Sequence, residues 1–209
     1  MRYGELPISL GLHEIVCPEM LFYQYLPIKL VGQTEPIIED RLKCFSSLIG
    51  VACCDFIAKD GLDKYVNQNV YLTAKKLYAK PGCPINRPGY HSDGFMTDDI
   101  NYIWCDCYPT IFNTSQFTLT MHHEYSLGEM EQQSQIENEV QYKPFELLRL
   151  NQYNIHRVAE IDKLTVRAFV KISFSNEQYN LCGNSRNYLL NYNWDMKPRN
   201  EERNHPIKK

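Results

Sequence analysis

No run of the sequence approaches 18 consecutive apolar residues, which excludes a membrane-spanning helix. The opening stretch, MRYGELPISLGLHEIVCPEM, is interrupted by Pro7, Gly11 and His13, so it lacks the continuous apolar segment of a secretory leader. Basic charge is not in excess either. The 22 Lys and Arg stand against 25 Asp and Glu, a formal net charge of -3. Duplex nucleic acid, whose phosphates call for a basic surface, is therefore not an expected partner. The chain has no internal repeat, no low-complexity tract and no C-x-x-C pair. That last absence weighs against structural zinc, although Cys53-Cys54 and Cys105-x-Cys107 are closely spaced. A chain of 209 residues can bury a sizeable core without covalent staples, so its eight cysteines are expected to be reduced thiols in a cytoplasmic protein.

The patterns that are present describe one α+β, mostly β domain over residues 1–194, followed by a charged tail over 195–209. The first thirty residues suggest a short strand or two and a loop. Ile38, Leu42, Phe45, Ile49, Ala52 and Phe56 recur at three- and four-residue spacing, which predicts a helix over 34–61 with Thr34 as N-cap and Gly61 as its stop. Strand-like runs follow at 70–80, 100–108, 111–122 and 167–175. Residues 124–139 carry five Glu and no Lys or Arg, which suggests an exposed helix or mobile loop, with a lid over a pocket as its functional reading.

The chemistry-bearing pattern lies in RPGYHSDGF. His91 and Asp93 are separated by one residue, and on a strand such positions share a face. An imidazole and a carboxylate so placed supply two of the three ligands of a 2-His-1-carboxylate iron site. Sixty-three residues beyond Asp93 stands His156, and eleven residues after it Arg167. If the strands carrying these two form an antiparallel hairpin, Arg167 returns close to His156. His122 and His123, in MHHE, read as a strand end or pocket rim. Tyr90, Tyr102 and Trp104 flank the pattern as core residues or as a substrate wall.

In order and spacing, H-x-D, a distal His and a following Arg resemble the pattern of the 2-oxoglutarate/Fe(II)-dependent dioxygenase superfamily. The resemblance covers residues 70–175. It implies a double-stranded β-helix (jelly-roll) barrel with the N-terminal helix packed outside. It also implies Fe(II) held by His91, Asp93 and His156, and 2-oxoglutarate anchored by Arg167. The charges of iron, Asp93, the cosubstrate and Arg167 then cancel, as a water-poor site requires. Several branches of the family have Arg-x-Ser here, whereas this chain has Arg167-Ala168-Phe169. The missing hydroxyl is assigned to Thr110, with Tyr102 as second choice, and Lys171 shares strand parity with Arg167 as an alternative anchor. Tyr90 and Trp104 are assigned to the substrate pocket. The implied reaction hydroxylates a small molecule or side chain with O2, releasing succinate and CO2. The alternative is a non-catalytic jelly-roll protein that binds a small ligand or a protein partner. Substrate and oligomeric state stay open.

Overall fold

The computed structural model describes residues 2–199. Ten strands are arranged in two antiparallel sheets. In chain order they are β1 (Ile8–Leu12), β2 (Leu21–Lys29), β3 (Asn69–Ala79), β4 (His91–Ser92), β5 (Ile100–Cys105), β6 (Ile111–Asn113), β7 (Glu139–Gln141), β8 (Glu146–Leu150), β9 (Ile155–Arg157) and β10 (Thr165–Ser175). Three α-helices join them: α1 (Ser46–Asp60), α2 (Leu62–Val66) and α3 (His123–Gln133). The larger sheet has the order β1-β8-β5-β10-β3-β2 and the smaller β4-β9-β6-β7. From β3 onward the chain passes back and forth between them, an arrangement consistent with a β-rich jelly-roll fold.

The larger sheet has two chemically distinct faces because side chains alternate along each strand. Ala168, Val170, Ile172 and Phe174 of β10 lie on one face with Tyr102 and Trp104 of β5 and Val70, Leu72 and Ala74 of β3. Against this face packs α1, whose Leu48, Ile49, Ala52, Cys53 and Phe56 form a buried stripe. Phe56 stacks on Phe174 with ring centroids 4.4 Å apart. Arg149 of β8 ties the helix to the sheet through Asp55 and Asp60 of α1, at 2.8 Å and 2.5 Å. The opposite face of β10 carries Arg167, Phe169, Lys171 and Ser173, and it looks toward the smaller sheet.

Several elements differ from their sequence patterns. The helix expected from residue 34 begins as a 3-10 turn over Asp40–Phe45 and becomes α-helical only at Ser46. Thr34 caps nothing: it lies in a bend six residues before the turn, whose N-cap position is Glu39, and Ile37 N–H donates to the carbonyl of Ile28. Gly61 does end the helix, at φ +93° with its N–H on the carbonyl of Ile57. Of the strand run at 111–122, only Ile111–Asn113 pairs. The acidic stretch takes the helical of its two readings, as α3, with most of its residues at least partly exposed and Ser126 and Met130 buried, and it ends in β7. Residues 195–199, expected to fray, are tied back by the pairing of Leu181 with Lys197 and by Arg199, which donates to the carbonyl of Cys182 and to Asn184 Oδ1. Residues 200–209 of that tail lie outside the described residues.

Candidate metal centre

His91 and His156 meet because β4 and β9 pair antiparallel with these two residues directly opposite each other. Their ring centroids are 4.5 Å apart. Asp93 lies one residue past the end of β4, at the start of a turn made by Gly94 at φ +73°, whose carbonyl accepts from Thr97 N–H at 2.9 Å. The carboxylate thus joins the two rings by a turn, not by strand alternation. One ligand atom from each of His91, Asp93 and His156 lies within 4.8 Å of the others, and among the described residues this is the one such group.

The ring orientations suit metal ligation. His91 Nδ1 lies 2.9 Å from the carbonyl of Gly89, and His156 Nδ1 lies 2.9 Å from the carbonyl of Asn154. Each carbonyl accepts from a protonated Nδ1, so each Nε2 is left as a lone-pair donor. Burial pushes His91 down to about 3, reinforced by the nearby charge of His156, and burial also lowers His156. Both rings are therefore neutral near pH 7. Burial would raise the Asp93 carboxyl, but Lys171, His156 and His91 outweigh it and hold the group well below the usual carboxylate range. Two neutral imidazoles and an anionic carboxylate form a donor set that fits a divalent cation such as Fe(II).

Lys171 is the close companion of this group. Its Nζ donates to Asp93 Oδ1 at 3.1 Å and to the Tyr25 hydroxyl at 3.4 Å. Tyr25 occupies a bulge of β2 at φ +48°, a conformation a tyrosine adopts only when its surroundings enforce it. These residues line a cavity of about 930 Å³ between the sheets, together with Lys75, Thr110, Phe169 and, from α3, Met130. Lys75 donates to the carbonyl of Ile85 at 3.1 Å. Burial, then Lys171 and Arg167, push its ammonium down to about 8.

The other residues named from the sequence fall in different places. Arg167 is fully buried, with Nε on the carbonyl of Cys107 and Nη2 on that of Tyr108. Its Nη1 is buried with no partner, and its guanidinium lies 5.4 Å from the Phe169 ring, outside the lining of the cavity. The expected hairpin between His156 and Arg167 does not form: β9 pairs with β4 and β6, and β10 with β3 and β5. The segment 158–164 carries the chain across to the other sheet. Tyr102 points to the α1 face, where its hydroxyl donates to Asp55 Oδ2 at 2.8 Å. Trp104 shares that face and donates to the carbonyl of His13. Tyr90 is buried among the smaller sheet's polar groups, its hydroxyl near Glu139 and Arg157. None of these three lines the cavity. His123 does line it, whereas His122 caps α3 by accepting from Glu124 N–H.

Sequence reasoning missed Tyr25 and Lys75; the stretch 124–139, read as covering a pocket, does line the cavity through Ser126, Leu127 and Met130 of α3. Lys75 had a signal. Lys75-Lys76 interrupts an otherwise apolar strand, and alternation obliges one of two adjacent lysines to face inward. Tyr25 had none, since its position depends on a bulge.

No protein-family model matches the chain, and no curated protein does. Similar solved structures include EvdO2 from Micromonospora carbonacea var. aurantiaca, at 14% identity, and EvdO2 complexed with 2-oxoglutarate, at 15%. Each match covers 66% of this chain and 66% of the other, just under two thirds, with a TM-score of 0.35. So remote a likeness carries no weight in assigning fold or function. Fold and site together define a mostly β protein with a His-Asp-His cluster fit to hold a metal ion, and among the described residues no helix is long and apolar enough to cross a membrane.

Proposed function

We propose that the two sheets close into a double-stranded β-helix barrel, and that the protein is an Fe(II)- and 2-oxoglutarate-dependent oxygenase hydroxylating a small-molecule or side-chain substrate. The observation that carries this reading is the convergence of His91, Asp93 and His156, with both imidazoles oriented through Nδ1. When bound, Fe(II) and 2-oxoglutarate supply the oxidising chemistry that converts O2 into a substrate hydroxyl, succinate and CO2. The chain's own residues hold, orient and shield. His91, Asp93 and His156 would hold the metal. Lys171, Lys75 and the Thr110 hydroxyl form a polar wall for the cosubstrate's distal carboxylate. The Arg167 guanidinium, with Nη1 buried and unpartnered, lies against Phe169, itself part of the cavity wall. Met130 and Phe169 keep part of the cavity wall apolar.

A second reading has its own support. The Lys171 ammonium already neutralises Asp93, and Arg167 lies outside the cavity lining, tied to the carbonyls of Cys107 and Tyr108. Both suit a non-catalytic jelly-roll binder.

Metal and cosubstrate titrations separate the two. Under anaerobic conditions, Mn(II) as a stand-in for Fe(II) is expected to bind with 1:1 stoichiometry, and His91→Ala to weaken it at least 100-fold. By calorimetry, 2-oxoglutarate is expected to bind only with metal present. Iron-dependent succinate formation would then follow with a substrate screen. Metal binding unaffected by His91→Ala, or 2-oxoglutarate that does not bind the metal-loaded protein, would sink the oxygenase reading in favour of the binder.

A further inference from the structure

Asp93 presents its two oxygens to different partners. Oδ1 accepts from Lys171 Nζ at 3.1 Å, whereas Oδ2 lies 3.8 Å from His156 Nε2. The Nδ1 atoms of His91 and His156 face carbonyls, so the lone pairs open to a metal are those of Nε2. A metal shared by the three ligands would thus meet Asp93 at Oδ2, on the side of His156, while Oδ1 stays with Lys171.

Lys171 is fixed by more than this carboxylate. It sits within β10, opposite Thr73 of β3 on one edge and Ile103 of β5 on the other. Its Nζ also donates to the Tyr25 hydroxyl at 3.4 Å and lies 5.1 Å from the centre of that ring. Tyr25 is held in turn by its N–H on Thr73 Oγ1 at 3.0 Å, and its ring stands edge-on to Tyr179 with centroids 5.2 Å apart. An ammonium has three donors, so bonds to Asp93 and Tyr25 leave one for an incoming carboxylate. Two neutral imidazoles, one carboxylate and one ammonium together carry no net charge. A divalent metal entering this group meets a carboxylate already balanced, and it is repelled by the cation on the far oxygen. The two charges of the metal then stay uncompensated until a dianion arrives. Arg167 lies outside the cavity lining, so Lys171 is the cation that enters this balance.

We infer, on the oxygenase reading of this site, that Lys171 is a resident counter-ion that keeps its hold on Asp93 Oδ1 when the metal binds, so that the site takes up a divalent metal weakly alone and tightly only together with the dianionic cosubstrate. Lys171 is thereby a positioning residue that acts through Asp93. Metal and cosubstrate strengthen each other by one common factor, because coupling between two binding events is reciprocal. A cation beside the metal also disfavours Fe(III) more than Fe(II), since the repulsion grows with the charge it meets. A lysine that only steadied Asp93 would have the opposite signature, its removal weakening the metal.

The test titrates the metal-free protein anaerobically with Mn(II) at neutral pH. On the unaltered chain, saturating 2-oxoglutarate is expected to tighten Mn(II) at least tenfold. Without 2-oxoglutarate, Lys171→Met is expected to tighten Mn(II) at least fivefold, and Lys171→Gln, which keeps a donor for Oδ1 but no charge, to tighten it as well. Lys75→Met removes a cation of the same cavity whose ammonium is bonded to the carbonyl of Ile85, and it is expected to tighten Mn(II) by a smaller factor. In the iron-loaded protein, Lys171→Met is expected to favour Fe(III) over Fe(II) at least tenfold, read as a midpoint potential lower by about 59 mV or more. Circular dichroism reports whether each variant is folded. Mn(II) binding unchanged or weaker in both Lys171 variants, an equal gain in Lys75→Met, an unmoved potential, or a gain of less than twofold from 2-oxoglutarate would overturn the inference while leaving the oxygenase reading standing. Mn(II) binding that His91→Ala leaves unaffected, or 2-oxoglutarate that does not bind the metal-loaded protein, would instead overturn the oxygenase reading, and the inference with it.

Discussion

Lys29 shows how a single buried charge is made tolerable. Its ammonium is fully buried and donates to the carbonyls of Tyr65 at 2.9 Å and Gln68 at 2.7 Å, with longer contacts to Leu30 and Val66. Those of Tyr65, Val66 and Gln68 lie at or just past the C-terminal end of α2, where carbonyls carry partial negative charge. Burial nevertheless pushes the Lys29 ammonium from 10.5 down to about 8, with Cys53 opposing weakly. The folded state therefore holds this proton less tightly than the unfolded chain does. Stability lost to the buried charge is regained as pH rises through the interval between the two values. The unfolding free energy of the protein minus that of Lys29→Met is expected to increase by about 1 kcal/mol per pH unit between about pH 8 and pH 9.5. Taking the difference removes the opposing contribution of the buried cysteines and tyrosines. Urea titrations at three pH values check it, and a flat difference would mean that Lys29 titrates alike in both states. Near pH 7, Lys29→Met leaves the carbonyl of Gln68 without its 2.7 Å donor and is expected to lower stability by about 1–3 kcal/mol.

The turn after β4 decides at the scale of an element whether the metal group exists. Gly94 has φ +73°, and a Cβ there would lie 2.9 Å from Thr97 Oγ1 and 3.0 Å from Asp99 Cβ. Gly94→Ala is therefore expected to cost about 1–3 kcal/mol. Because Asp93 is the adjoining residue, the same change is expected to weaken Mn(II) binding at least tenfold, and paired denaturation and metal titrations check both. Unaltered metal binding would show that Asp93 is held by Lys171 rather than by the turn. The H-x-D spacing was legible in the sequence, and so was the distal His. What joins them was not. Strand β4 has only two residues, so no alternation pattern could reveal it, and its pairing with β9 depends on contacts 65 positions apart. Tyr102 and Trp104 were misplaced for a related reason. Their register against Ile172 and Val170 puts them on the α1 face, whereas Lys171 opposite Ile103 and Phe169 opposite Cys105 face the cavity. Periodicity within β5 separates the two sets but does not say which set faces which way.

For the whole molecule, this register divides stability from function between the two faces of one sheet. The α1 face is apolar and close-packed, and its content was visible as the alternating apolar residues of β3 and β10. The cavity face buries Thr73, Asn101, Arg167, Lys171 and Ser173, a polar set that a sequence reading finds hard to tell from solvent-facing residues. Natural proteins tolerate such groups in the interior where a ligand requires them. Substitutions on the two faces should therefore have opposite signatures. Phe174→Ala removes a ring stacked on Phe56 and packed against Tyr65 and Tyr102. It is expected to destabilise the protein by about 3–5 kcal/mol, with ligand binding per folded molecule unchanged. Thr110→Val, on the cavity wall, keeps the volume and removes one hydroxyl. It is expected to alter stability by less than about 1 kcal/mol and to weaken 2-oxoglutarate binding about tenfold or more, since a lost hydrogen bond to a charged group costs about 1.5–3 kcal/mol. Denaturation curves and calorimetry on the same two variants check the pair. Were Phe174→Ala to impair ligand binding in the folded protein as strongly as Thr110→Val, the faces would be coupled, and α1 would belong to the working parts of the site rather than to its support.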